Sequence, residues 1–364
     1  MNRRMKDVQN LLAEKNIDVA FFNSTENVFY LSGFYTDPHE RLMGMFLFKK
    51  SAFVLPAMEV DQLQGTGWSY DSIGYYDHNP WELIEKKLGT KLIQSIGLES
   101  EVLNYKRSES LLALFPGSHV SFLEEIINPL RVVKDENKIA TMKKAAELAD
   151  FGVEVGINTL QEGITEMEVL AKIEYELKKK GVKEMSFSTM VLFGEHAGEP
   201  HGKPGNRKLK KGDFVLFDLG VVLDGYCSDI SRTVAFDSVS ERQKELYDLV
   251  FSAQAAALAE SKPGTRIGDL DKVARDLISN AGYGEYFPHR IGHGIGINVH
   301  EYPSMSHLND HLLEENMVFT IEPGVYVPEV GGVRIEDDVV ITKDGYKALT
   351  AFPKELLVVS SKKH

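Results

Sequence analysis

The sequence predicts an α/β protein of the mixed (α+β) kind with two domains, 1–131 and 132–364, and three observations carry that expectation. Short β-rich runs alternate with helical patterns through the first domain. A proline and a run of charges mark a junction at 128–135. Beyond it the order is helix pair, strands, helix pair, strands, which sets out a second and larger α/β unit.

In chain order, Val8 to Lys15 reads as an amphipathic helix, and Asp18–Phe22 and Met45–Phe48 as strands. After Asn128-Pro129 the segment Glu136–Val155 places Ile139, Met142, Ala145, Ala146 and Ala149 at helical spacing, so the boundary falls near residue 132. A second helix is expected over Glu166–Lys180, followed by strands over Ser186–Phe193 and Asp213–Val234. Helices over Glu241–Ala259 and Ile267–Ala281 lead to a last hundred or so residues of glycine-punctuated strands. The recurring order suggests two similar halves, although no residue-level repeat accompanies it.

Composition narrows the functional classes. With 364 residues, 43% hydrophobic and 26% charged, the chain reads as a soluble globular protein able to bury two cores. The basic start, Asn2-Arg3-Arg4, runs into an amphipathic helix rather than a leader. No stretch approaches the roughly eighteen apolar residues of a membrane span. A formal charge of -13 argues against nucleic acid and anionic membranes as partners. The single cysteine, Cys227, rules out an internal disulfide and a cysteine-based zinc cluster, which points to the cytoplasm.

Chemistry enters through acids placed where strands should be apolar. Asp218 interrupts the buried-looking run Asp213–Gly220, and a buried carboxylate needs a partner. Asp224-Gly225 is a two-residue hairpin signal. A turn there sets position 218 opposite 231 and puts Asp229 on the same face as a diagonal neighbour. Either aspartate alone reads as a solvated or strand-end residue; two converging on an apolar face call for a cation between them. His293 and His300 lie seven apart among glycines whose spacing is not that of a dinucleotide loop. Glu322, in Thr320-Ile321-Glu322-Pro323-Gly324, and Glu336, in Val333-Arg334-Ile335-Glu336, are two further acids at positions that alternation would bury, with Arg334 on the face of Glu336. Four carboxylates and a histidine make an oxygen-rich set suited to two divalent ions. Such a pair lowers the pKa of a shared water and polarises a carbonyl, which is the chemistry of hydrolysis.

Asp218, Asp229, His293, Glu322 and Glu336, in that order and in those local motifs, resemble the metal ligands of the pita-bread metallopeptidases. The resemblance runs from about residue 132 to the end and implies a pita-bread (creatinase/aminopeptidase-like) catalytic domain. Asn27–Phe34 resembles the first domain of prolidases and aminopeptidase P, which favours the proline-specific branch over methionine aminopeptidase. The complete ligand set argues against a metal-free creatinase or a non-catalytic peptide-binding relative.

The resemblance implies an Xaa-Pro dipeptidase, with aminopeptidase P acting on longer peptides as the alternative. It implies that His201 and His300 contact the substrate carbonyl and serve catalysis, that Arg334 offers a fork to a substrate carboxylate, and that Glu322 shuttles a proton while touching a metal. Two divalent ions per subunit are expected, manganese first, with cobalt, zinc and iron compatible. Xaa-Pro dipeptides or short proline-containing peptides are the expected substrates, and a homodimer the expected assembly. Phe193–Glu199 departs from the serine- and asparagine-bearing segment of many relatives, and His196 there reads as an exposed loop residue. The charged cluster Asp37, His39 and Arg41 resembles an access-limiting loop of short bacterial prolidases.

Overall fold

Apolar runs such as Val19-Ala20-Phe21-Phe22, buried on both faces, become central strands in the computed structural model, which describes residues 3–48, 51–76, 79–89 and 93–360. The chain divides into two units, Met1–Arg131 and Val132–His364. In the first, strands β1 (Val19–Phe22), β2 (Gly44–Leu47), β3 (Ala52–Pro56), β4 (Asp71–Tyr75), β5 (Ser95–Leu98) and β6 (His119–Phe122) form a mixed sheet in the order β4-β3-β2-β1-β5-β6. Among the described residues, six α-helices flank these strands in sequence: α1 (Arg3–Glu14), α2 (Thr25–Ser32), α3 (Val60–Gly65), α4 (Pro80–Leu88), α5 (Tyr105–Leu114) and α6 (Glu124–Val132). Ser24 caps α2 by accepting from the Asn27 amide, and buried Glu99 accepts from the Ser24 amide and hydroxyl. The 36–41 segment is a loop in which His39, at φ +51°, has its Nδ1 3.3 Å from an Asp37 carboxylate oxygen. No described helix is long and apolar enough to cross a membrane.

Pro129 sits inside α6 rather than ending it, and Asp135 starts the next helix by accepting from the Lys138 amide. In the second unit α7 (Glu136–Thr159) and α8 (Glu166–Lys179) cover one group of strands: β7 (Glu184–Met185), β8 (Met190–Phe193), β9 (Phe214–Leu219), β10 (Val221–Leu223), β11 (Tyr226–Cys227) and β12 (Ile230–Phe236). Helices α9 (Glu241–Glu260) and α10 (Ile267–Asn280) cover the other: β13 (His293–Gly294), β14 (Glu301–Ser304), β15 (Val318–Ile321), β16 (Gly324–Val327), β17 (Gly331–Arg334), β18 (Asp337–Thr342) and β19 (Gly345–Ala348). A short β20 (Val358–Val359) runs parallel to β12 at the sheet edge. Each helix pair packs on its own apolar core: Ala149, Val153 and Ile173 against Val215 and Phe217, and Val250, Leu270 and Ala274 against Phe319 and Ile341.

The hairpin forms in the expected register. Leu223 pairs with Tyr226 across Asp224 and Gly225, whose φ values of +48° and +79° are those of a type I′ turn. The same register carries into the four-stranded sheet, where Asp218 pairs with Ser231. The glycines around His293 serve close backbone packing. A Cβ on Gly292 would lie 1.9 Å from the Thr320 carbonyl oxygen, and one on Gly294 2.3 Å from that of Tyr302. Gly292→Ala is therefore expected to cost about 2–3 kcal/mol or more in denaturant unfolding, because backbone atoms cannot yield as a flexible side chain does. An unchanged midpoint would contradict this packing.

Candidate metal centre

Five acidic and histidine side chains reach one cavity from five places in the second unit. Asp218 comes from the interior of β9, while Asp229 sits one residue before β12. His293 opens β13. Glu322 and Glu336 were expected inside strands, and the structure corrects this. Glu322 falls in the break between β15 and β16, and Glu336 in the break between β17 and β18. At these breaks their amides bond outside the local ladder, Glu322 to the Ile291 carbonyl at 2.7 Å and Glu336 to the Ser231 carbonyl at 3.1 Å. A strand that leaves one sheet for another turns these two carboxylates inward.

The resulting cavity is about 590 Å³ and is lined by all five residues together with His201, His300 and Arg334. Ligand atoms of Asp229, His293 and Glu336, all buried, lie within 4.8 Å of one another. His293 Nε2 is 3.4 Å from a Glu322 oxygen and 3.7 Å from Asp229 Oδ2. His293 Nδ1 lies 3.2 Å from the Gly294 carbonyl, which sets the tautomer that leaves Nε2 bare toward the carboxylates.

Burial and crowding shape the charges. Burial, then the neighbouring Glu336 and Asp218, pushes Asp229 well above the usual carboxylate range. Glu336 is driven up by burial and by Glu322 and Asp218. Burial raises Glu322 to about 7 against the opposing Arg334 charge. Burial, helped by His300, lowers His293 to about 3, so its ring is neutral at any ordinary pH. Asp218 Oδ1, Asp229 Oδ1 and Glu336 Oε1 are buried with no hydrogen-bond partner. Orphaned acceptor oxygens around a bare imidazole nitrogen are what a divalent cation satisfies, so the residues fit divalent metal.

A supporting layer fixes these side chains. Ser231, opposite Asp218, donates to Glu336 Oε2 at 2.7 Å and accepts from Arg334 Nε at 2.8 Å. The Asp229 amide donates to Asp338 at 3.0 Å, and the Thr320 hydroxyl to Glu322 at 3.5 Å. Arg334, expected to offer a fork to a carboxylate, already has partners in the protein. It is 4% exposed, and its remaining nitrogens meet Asp218, the Tyr326 hydroxyl at 2.7 Å and the Pro200 carbonyl at 3.4 Å. Its guanidinium holds Asp218 in place and is already engaged. His300 stacks edge-on against His293 with ring centroids 4.1 Å apart, and both His300 and His201 are exposed toward the cavity. His196 is neither a cavity residue nor a free loop side chain, since its Nδ1 lies 3.1 Å from buried Glu166. His289 and Tyr326, whose Nε2 and hydroxyl are 3.0 Å apart, also belong to this region. Sequence reasoning passed over Tyr326 because an aromatic residue in an apolar strand carries no sign of its polar end, whereas Ser231 could have been found from the hairpin register.

Comparison with known proteins fits this picture. The pattern of metallopeptidase family M24 matches residues 140–343, and that of the creatinase/prolidase amino-terminal domain matches residues 4–133. The chain is 57% identical over 361 residues, 98% of itself and 99% of the relative, to YkvY of Bacillus subtilis (strain 168), which bears a provisional dipeptidase name. Among solved structures it resembles the prolidase from Pyrococcus horikoshii OT3, with TM-score 0.91 and 35% identity over 98% of this chain and 100% of that one. The X-Pro aminopeptidase from Thermotoga maritima MSB8 is also similar, with TM-score 0.86 and 30% identity over 98% and 100% of the two chains. With both of its domains matched and a buried set of metal-ligand side chains in the second, the chain belongs to metallopeptidase family M24.

Proposed function

We propose that this peptidase is an Xaa-Pro dipeptidase, cleaving the bond before a carboxyl-terminal proline, with Asp218, Asp229, His293, Glu322 and Glu336 holding two divalent ions. The observation that carries the reading is the convergence of these five side chains on one cavity, three of them with orphaned buried oxygens. Bound there, divalent ions would polarise the substrate carbonyl and make water a better nucleophile. Manganese is the metal we assign first, and cobalt, zinc or iron suit the same donors.

The chain's own residues supply the rest. Glu322, on the cavity wall 3.4 Å from His293 Nε2, is the carboxylate we assign to take a proton from the attacking water and return it to the departing proline nitrogen. His201 and His300, on the cavity wall, donate hydrogen bonds to the substrate carbonyl as charge develops on it. Arg334 serves the substrate indirectly, by holding Asp218, and meets a carboxylate only by giving up one of its present partners. The connection from Glu322 to Glu336 is a short two-stranded hairpin, and the recurrence of prolidases among the similar solved structures favours the dipeptidase over the aminopeptidase alternative. The single buried Cys227 supports a cytoplasmic location, and a homodimer is the assembly we assign.

Proline release from Leu-Pro and from Leu-Pro-Gly, with chelated and manganese-restored enzyme, tests the proposal. Metal-dependent cleavage confined to the dipeptide is the expected result. Preference for the tripeptide would assign an aminopeptidase, and cleavage of neither would end the proline-specific reading.

A further inference from the structure

Glu166, on the first turn of α8, is fully buried and stands outside the metal centre. A carboxylate with no exposure needs several donors. It has them in an instructive arrangement. Oε1 accepts from the Phe193 amide at 2.9 Å, Oε2 accepts from the Gly205 amide at 2.8 Å, and His196 Nδ1 lies 3.1 Å and 3.2 Å from the two oxygens. Among the described residues its ion-pair partner is His196 alone.

Those three donors lie at the two ends and inside a single loop. Phe193 ends β8, and the chain then runs through a short 3-10 turn (Gly194–Gly198) to Pro200, His201, Gly202, Lys203 and Pro204, all of which line the cavity. Backbone bonds at the far end continue the attachment, from the Glu166 amide to the Arg207 carbonyl and from the Met167 amide to that of Gly205. The Arg207 guanidinium closes the base of the same loop, bonding Glu195 and Asp213. At its crest the Pro200 carbonyl faces Arg334, which holds Asp218. The loop thus hangs between one buried carboxylate and the metal centre.

We infer that Glu166 is a positioning residue for the peptidase: by pinning both ends of the 193–205 loop it sets His201 against the substrate carbonyl. His196, with Nδ1 beside both Glu166 oxygens, completes the clamp. The kinetic side of this inference rests on the dipeptidase reading, whereas the structural side does not.

Glu166→Gln keeps the shape of the side chain but presents an amide NH2 to at least one N–H donor, so one anchor is lost. Displacement of a substrate-positioning group by about 1 Å can cost up to about a hundredfold in rate. The expected result is a fall in kcat/KM for Leu-Pro of about tenfold to a hundredfold. In a His201→Ala background the same substitution should change little, because the positioned group is already gone.

Hydrogen–deuterium exchange supplies a readout that needs no activity. Glu166→Gln, and His196→Ala should the first variant fold poorly, are expected to speed exchange across 194–206 and leave β9 and β12 unchanged. Unaltered exchange in the loop for both variants would overturn the clamp. Losses that multiply independently of His201→Ala would overturn its link to His201 and leave Glu166 a purely structural residue. A wild-type protein that ignores Leu-Pro while the loop still loosens would fault the substrate assignment and not the clamp.

Discussion

Asp229→Asn is expected to lower kcat/KM for Leu-Pro by more than about a hundredfold and to reduce bound metal, read by elemental analysis of the dialysed protein. Groups that only support a metal ligand typically contribute about ten- to a hundredfold in affinity or activity, so a ligand itself should exceed that range. The substitution is nearly isosteric. It keeps the hydrogen bond that the Asp229 backbone amide donates to Asp338 and removes one acidic oxygen from a cluster where Oδ1 has no other partner. It also relieves repulsion, since Asp229 is pushed up by Glu336 and Asp218 once burial has acted. The folded protein should therefore be no less stable without metal than the wild type, which separates loss of the centre from loss of the fold. Ser231→Ala, which frees Glu336 and Arg334 but touches no proposed ion, should fall in the ten- to hundredfold range instead. An Asp229→Asn enzyme that retained full metal content and turnover would remove this carboxylate from the centre.

The contrast between Asp229 and Glu322 shows what could be read from residues alone. A type I′ turn at Asp224-Gly225 fixes register by counting, so the pairing of 218 with 231 follows from the sequence once the turn is recognised. Glu322 and Glu336 were legible as inward acids but not as sheet breaks, because alternation describes a strand and says nothing of where it changes sheets. Arg334 was legible as a cation facing the acids. Its partners Tyr326 and Pro200 lie on other elements, and no local pattern ties them to it. The same limit hid Glu166, which looks like an ordinary acidic residue in the first turn of a capped helix until the loop folds onto it.

Metal should stabilise this protein more at pH 8 than at pH 6.5, and the sign follows from the site. Asp229 and Glu336 carry raised folded-state pKa values, and Glu322 is raised to about 7. A carboxyl of this kind binds more protons folded than unfolded, so its stabilising contribution is present below the unfolded value of about 4 and is lost as pH rises through the folded one. Buried histidines act the other way. His293 and His289, lowered to about 3 and about 4, make the folded chain bind fewer protons than the unfolded one, an effect confined to pH below their unfolded value of about 6.5. Above that value the histidines are neutral in both states and the carboxyls decide, so the metal-free protein should lose stability from pH 6.5 to 8. Metal displaces those protons. Each proton released on binding strengthens it by about 1.4 kcal/mol per pH unit, and ligand at a hundred times its dissociation constant adds about 2.7 kcal/mol to unfolding. Thermal unfolding with chelator and with manganese at the two pH values should therefore show a gap that widens toward pH 8. A gap that stays constant would mean that these carboxyls are already ionised in the metal-free fold, and a gap that narrows would place the stabilising ion elsewhere on the protein.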